Sequence, residues 1–263
     1  MSWVEGKTIV VTGGSSGIGK GVAFALAERG ARVVLAGRTP GRLDAGVEQI
    51  RGAGGAAIGV PTDVGDLIAV ERLMARAEDA FGGVDGLLTA AGLGVVQGIL
   101  EQSDDDVDET VRTDLLGTIY AIRAAARRMP PGSQIVTVAS SVAGGPSPAM
   151  PLYTAVKTAV VVLSNSIRDE LAGLGIRLSC LLPGAVATNF QAGWGERELG
   201  AFGFGASGER SAHWTAHELL PQDPPPAGGP DLRRVMRARD VAPAVLFAFD
   251  LPPRSRGATL EIL

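Results

Sequence analysis

The stretch Thr8-Ile9-Val10-Val11-Thr12-Gly13-Gly14-Ser15-Ser16-Gly17-Ile18-Gly19 decides the fold. Its first five residues are a β-branched run with no charge, the composition of a strand buried on both faces. The glycines follow at once, and a helical pattern over Gly17–Arg29 begins inside them. Glycine at such a junction allows a tight turn and close backbone approach. The helix start then offers unpaired N–H groups to an anion such as a pyrophosphate. The spacing G-x-x-x-G-x-G departs from the common dinucleotide pattern G-x-G-x-x-G. A plain glycine-rich turn would share the composition, but not the coincidence of strand, glycines and helix start.

Outward from this unit, short apolar runs alternate with longer amphipathic ones. Arg32–Ala36, Ala56–Val60, Gly86–Thr89, Gln134–Ala139, Ile176–Leu182 and Ala258–Ile262 read as further strands. Arg42–Arg51, Asp66–Phe81, Asp104–Met129, Leu152–Leu174 and Ala238–Phe249 read as helices between them. Strand-helix alternation implies right-handed βαβ units and an α/β, doubly wound parallel sheet of about seven strands. One domain is expected over residues 1–263. The pattern breaks between Gln191 and Asp231, where Gly, Pro and Ala dominate and Asp223-Pro224-Pro225-Pro226 can neither continue a helix nor join a central strand. Five of the chain's twelve aromatics, Phe190, Trp194, Phe202, Phe204 and Trp214, lie in or beside this break. A substrate lid over about 190–231 accounts for both features.

Composition narrows the function. The chain has 263 residues, 46% hydrophobic and 20% charged, with a net charge of −4. Its 24 Lys and Arg are scattered, which argues against nucleic acid and against an anionic membrane surface. The single cysteine, Cys180, reads as a small buried hydrophobe in its strand. The amino-terminal residues lack the apolar core of a signal peptide, and no apolar stretch has the length of a membrane span. A cytoplasmic protein is expected. The acidic run Asp104-Asp105-Asp106 reads as helix N-terminal charge, with Ser103 and Asp106 resembling a capping box. His213 and His217 read as ordinary lid residues, so no metal site is expected.

Two features carry chemistry. Tyr153 and Lys157 are four apart, which places both on one helix face. A phenol ionises near pKa ~10 and needs neighbouring positive charge to exchange a proton at neutral pH. With a hydride carrier in the glycine loop, that pair suffices to interconvert a carbonyl and an alcohol. The second strand ends at Gly37-Arg38, without the acid that holds a ribose 2′-hydroxyl. Arg38 there favours a 2′-phosphate, so NADP(H) is the expected cofactor.

In order and spacing, several motifs resemble the short-chain dehydrogenase/reductase family over nearly the whole chain outside the lid. They are Thr12-Gly-x-x-x-Gly-Ile-Gly, Asp63-Val64, Ala90-Ala91-Gly92, Ser140-Ser141-Val142-Ala143-Gly144, Tyr153-x-x-x-Lys157, and Pro183-Gly184 followed by Thr188. The resemblance implies a single-domain Rossmann fold and an NADPH-dependent reductase or dehydrogenase acting on a small carbonyl or alcohol. It implies that Gly13, Ser15, Ser16, Gly17, Ile18 and Gly19 cradle the phosphates. Asp63 and Val64 would meet the adenine and Ala91-Gly92 would line the cleft. Pro183, Gly184, Val186 and Thr188 would meet the nicotinamide. Tyr153 would donate or accept the proton, and Lys157 would hold the nicotinamide ribose and lower the phenol's pKa.

For the serine, Ser141 precedes Val-Ala-Gly as in the family but lies twelve residues before Tyr153. Ser140 gives the usual thirteen. Ser141 is favoured, with one residue lost from the turn Pro146–Pro151, and Ser140 is left to cap the strand end. Two departures stand out. Thr89-Ala90-Ala91-Gly92 replaces Asn-Asn-Ala-Gly, and Asp114 replaces the asparagine that helps hold a water beside the lysine. An ionised Asp114 would stabilise the ammonium yet oppose ionisation of Tyr153. The lid aromatics point to an apolar or ring-containing substrate. The apolar helix around Ala155–Leu163 points to a homo-oligomer, a dimer or more readily a tetramer. The alternatives are a non-catalytic dinucleotide sensor and a non-redox lyase on the same scaffold.

Overall fold

The computed structural model describes residues 2–188, 236–252 and 254–262. In these, the elements run β1 (Thr8–Thr12), α1 (Gly17–Glu28), β2 (Arg32–Gly37), α2 (Pro40–Gly52), β3 (Ala56–Pro61), α3 (Leu67–Phe81) and β4 (Gly86–Thr89). They continue as α4 (Asp104–Thr110), α5 (Gly117–Ala126), β5 (Gln134–Val138), α6 (Pro151–Ser166), α7 (Arg168–Gly173) and β6 (Arg177–Pro183). The last are β7 (Val186–Ala187), β8 (Met236–Arg237), α8 (Ala242–Phe249) and β9 (Thr259–Ile262). The expected lid falls outside the described residues, as do His213 and His217.

Seven strands form one sheet in the order β3-β2-β1-β4-β5-β6-β9, and every neighbouring pair is parallel. Strands β1, β4 and β5 are buried throughout, because helices cover both faces. One core lies between the sheet and α1, α2 and α8, and contains Leu26, Leu35, Leu43, Ile50 and Phe249. The other, built on Leu73, Met74, Leu87, Ala121 and Ile122, lies under α3 and α5. Strand order reverses between β1 and β4, and a parallel sheet opens a crevice at the carboxyl ends of its strands where that happens.

Three local departures from the sequence expectation have physical causes. The expected helix Asp104–Met129 is α4 and α5 joined by a π-helical segment, Val111–Leu116. Such wide turns cluster at functional sites because they re-aim a side chain without breaking the helix. The expected helix Leu152–Leu174 divides at Ile167, whose ψ of 0° ends α6 before α7 begins. The expected helix Ala238–Phe249 opens with a 3-10 turn, Ala238–Val241, that packs on α1. Gly21 permits the approach, since a Cβ there would lie 2.9 Å from backbone atoms of Ala238 and Arg239.

The sheet's last strand reaches the crevice through β9. The Gly184 N–H donates to the Ile262 carbonyl at 2.7 Å, fixing the turn after β6. Strand β9 enters its register through Gly257, which has φ +117°, and a Cβ there would lie 1.7 Å from the Leu178 carbonyl oxygen. Gly257→Ala is therefore expected to cost about 2–4 kcal/mol and lower the thermal midpoint by about 5–10 °C. Gly52→Ala, where nothing lies within 4 Å of the added carbon, serves as the unaffected control in a calorimetric comparison.

Candidate active site

A cleft of about 660 Å³ lies along the carboxyl ends of the strands, from Arg38 at one end to Tyr153 and Thr188 at the other. Its floor is the β1–α1 loop. Gly13 has φ +67°, and a Cβ there would sit 2.6 Å from the Ala90 carbonyl oxygen. A Cβ on Gly19 would sit 2.4 Å from the Gly13 oxygen. These two glycines let the loop, β4 and the helix start collapse together. Thr12 ties the same corner, its hydroxyl accepting from the Ala90 and Ala91 N–H groups at 3.2 and 3.4 Å. Helix α1 starts at Ser16, which is extended and makes no side-chain cap, so its first-turn N–H groups are available to an anion. That cradle suits a dinucleotide's phosphates.

Of the residues singled out from the sequence, Gly13, Ser15, Ser16, Gly17 and Ile18 line this floor. Arg38, Asp63, Val64, Ala91 and Gly92 line the walls, and Pro183, Gly184, Val186 and Thr188 the far end. Gly19 lies beneath the loop, and Asp114 lies behind the wall rather than on it. Asp63 folds back on its own loop, accepting from the Gly65 N–H at 2.9 Å. Ser15 packs its hydroxyl against Gly37, where a Cβ would lie 2.7 Å from Oγ. Arg38 forms an ion pair with Glu109 of α4. Nothing in the sequence marked Glu109 as part of the cleft, because only the fold brings residues so far apart in the chain together.

The reactive end is built on α6. Tyr153 and Lys157 are both buried, with Lys157 Nζ 5.5 Å from the phenol ring centroid. The Lys157 ammonium contacts the Asp114 carboxylate at 3.0 Å and the Val138 carbonyl at 3.4 Å. Asp114 has no exposed surface. Its Oδ1 accepts from the Leu93 N–H at 2.7 Å, while Oδ2 is the oxygen that faces Nζ. The π-helical segment aims Asp114 here, and Gly92 leaves room for it: a Cβ on Gly92 would lie 2.9 Å from Oδ2 and 3.3 Å from Nζ.

Burial and charge pull these groups in opposite directions. Burial pushes the Asp114 carboxyl up, and the Lys157 ammonium and Leu93 N–H oppose it. Burial would lower Lys157, but the Asp114 carboxylate and the Tyr153 phenol together hold it above its ordinary value. Burial likewise raises the Tyr153 phenol. Lys157 pulls it down, Asp114 pushes it up, and a hydrogen bond from Ser140 lowers it.

That last contact bears on the choice between the two serines, since Ser140 contributes a hydrogen bond to Tyr153. Ser140 continues the extended path of β5 and caps the 3-10 turn Ser141–Gly144 through the Val142 N–H. Ser141 is already inside that turn. Both serines border the cleft, but the thirteen-residue spacing reaches the phenol without any residue lost from the following loop. Behind Lys157, Cys180 is fully buried, in keeping with a packing role. Among the described residues no cluster of three or more His, Cys, Asp or Glu could hold a metal, and no helix is long and apolar enough to cross a membrane.

Comparison with known proteins agrees with this architecture. The family model described as short chain dehydrogenase matches residues 7–199. An L-rhamnose 1-dehydrogenase (NAD(P)(+)) of Azotobacter vinelandii is 38% identical over 190 residues, covering 70% of this chain and 74% of the relative. A short chain dehydrogenase from Burkholderia cenocepacia, solved in complex with NADP, superposes with a TM-score of 0.79 at 28% identity, covering 98% and 97% of the two chains. One from Burkholderia phymatum, solved with NAD, gives 0.70 at 34% identity over 72% and 69%. On the strength of the family match and these relatives, the chain belongs to the short-chain dehydrogenase/reductase family of oxidoreductases.

Proposed function

We propose that the protein is an NADPH-dependent oxidoreductase that interconverts a small ketone or aldehyde and the corresponding alcohol. The observation carrying this reading is the convergence of Ser140, Tyr153 and Lys157 at one end of a cleft whose floor is an anion cradle. A bound nicotinamide dinucleotide would supply or accept the hydride. The chain's own residues bind, orient and move the proton. The first-turn N–H groups of α1 would hold the pyrophosphate, and Asp63 and Val64 would border the adenine. Arg38 would receive a 2′-phosphate, in keeping with the absence of an acid at the end of β2.

At the other end, the Ser140 hydroxyl would donate to the substrate oxygen and stabilise its developing negative charge. Tyr153 would deliver the phenolic proton to that oxygen in reduction, or accept it in oxidation. Lys157 would hold the nicotinamide ribose and keep the resulting phenolate tolerable. Asp114 would act as a positioning residue, fixing Lys157 from behind. The substrate class rests on the aromatics between Phe190 and Trp214 and on the Azotobacter relative, named for a ring-forming sugar. A ring-containing small molecule is the reading these support. A homo-oligomer accompanies it, since α6 leaves Val162 exposed on its outer face in the single chain.

Two predictions follow from the proton path. In a panel of ketones and alcohols assayed with NADPH and NADH, Tyr153→Phe is expected to lower kcat by about 10²–10⁴-fold. Ser140→Ala is expected to lower it by about 10²–10³-fold, with Ser141→Ala close to wild type; a larger loss at Ser141 would return the role to that residue. The second concerns pH. Reduction needs the protonated phenol, so it is active below the Tyr153 pKa and fails as pH rises through it. Oxidation needs the phenolate and rises through the same pKa. Because the Asp114 carboxylate pushes that pKa up, Asp114→Asn should move both limbs to lower pH. Unchanged pH-rate profiles would contradict the assignment.

A further inference from the structure

Arg38 and Glu109 are 71 residues apart in sequence, yet they form an ion pair at the end of the cleft where Ser15 packs against Gly37. The pair joins the β2–α2 connection to α4, and both residues line the cleft. Asp106, three residues earlier on α4, lines the same wall, but its carboxylate is engaged by the Ser103 hydroxyl at 2.7 Å. Glu109 has no such partner of its own on α4, and among the described residues its recorded ion-pair partner is Arg38. A guanidinium presents one planar fork that recognises a carboxylate or a phosphate, and it cannot serve both fully.

We infer that Glu109 is a built-in competitor for the cofactor's 2′-phosphate and so narrows the preference for NADP(H) over NAD(H). The inference rests on the reading that Arg38 receives that phosphate. A 2′-phosphate entering the cleft must displace the Glu109 carboxylate from Arg38 and also meets its negative charge. An unphosphorylated adenosine ribose does neither, so the Arg38–Glu109 pair stays closed beside it. The carboxylate acts against one cofactor and leaves the other untouched, which narrows the gap between the two. The size of the bias follows from exposure. The two side chains are 56% and 48% exposed, and pairs of that kind contribute little, with a strong dependence on salt. The phosphate therefore still wins the guanidinium, with its margin reduced.

The test is direct binding of NADPH and NADH, followed by quenching of protein fluorescence, to wild type, Glu109→Gln and Arg38→Ala at low and at moderate ionic strength. Glu109→Gln is expected to tighten NADPH about two- to fivefold without tightening NADH, and the gain should shrink as salt is added. Arg38→Ala is expected to weaken NADPH selectively. If Arg38→Ala lowers NADPH preference while Glu109→Gln shifts both cofactors equally or neither, the competitor role is overturned and the phosphate reading stands. If Arg38→Ala leaves the ratio of the two affinities unchanged, the phosphate reading itself fails and the inference falls with it.

Discussion

The site depends on one buried ion pair, Lys157 with Asp114. Neither charge has solvent to lean on: Lys157 is 5% exposed and Asp114 fully enclosed. An ionised group in that position is tolerated only when paired and hydrogen-bonded, and removing one partner strands the other. The surrounding structure reads as a set of answers to that constraint. The π-helical segment turns Asp114 inward, the Leu93 N–H satisfies Oδ1, the Val138 carbonyl accepts from the ammonium, and Gly92 has no side chain to intrude. Burial does most to raise the Tyr153 phenol, and the same pair acts on it in both directions, Lys157 favouring its ionisation and Asp114 opposing it.

The cleft is asymmetric in how it handles charge. At the Arg38 end, charged groups stand half in water, as Arg38 and Glu109 do, and such pairs are weak. At the reactive end, charge is locked away and a change in one group is felt by its neighbours. On the proposed reading, binding preference would thereby be separated from proton transfer. Substitutions at Glu109 would act on which cofactor enters, and substitutions at Asp114 on when the phenol ionises.

Much of this was legible in the sequence, for identifiable reasons. The sheet could be read because strands covered on both faces are continuously apolar, and Thr8–Thr12 leads into glycines that only a close backbone approach explains. The site's ingredients could be read because Tyr153 and Lys157 share a helix face. What was not legible depends on geometry without a residue signature. Val111–Leu116 has the pattern of an ordinary helix, so its π turn was invisible, and Asp114 was expected beside the lysine only through the family resemblance. The break at Ile167 carries no Pro or Gly to announce it. Adjacent serines differ only in whether the chain is still extended, and no residue signature showed that Ser140 would contribute a hydrogen bond to the phenol. The β7–β8 pair is two residues long on each side, too short for any periodicity.

The central claim is that a carboxylate behind Lys157 delays ionisation of the phenol in front of it. The chain has two tyrosines, so a Tyr120→Phe background leaves Tyr153 as the sole phenol, and its ultraviolet difference titration can be followed while far-ultraviolet circular dichroism remains native. No phenolate signal should appear below the ordinary phenol range near pH ~10, and adding Asp114→Asn should bring it to lower pH. Ionisation of Tyr153 below that range with Asp114 intact, or at the same pH in both proteins, would contradict the account.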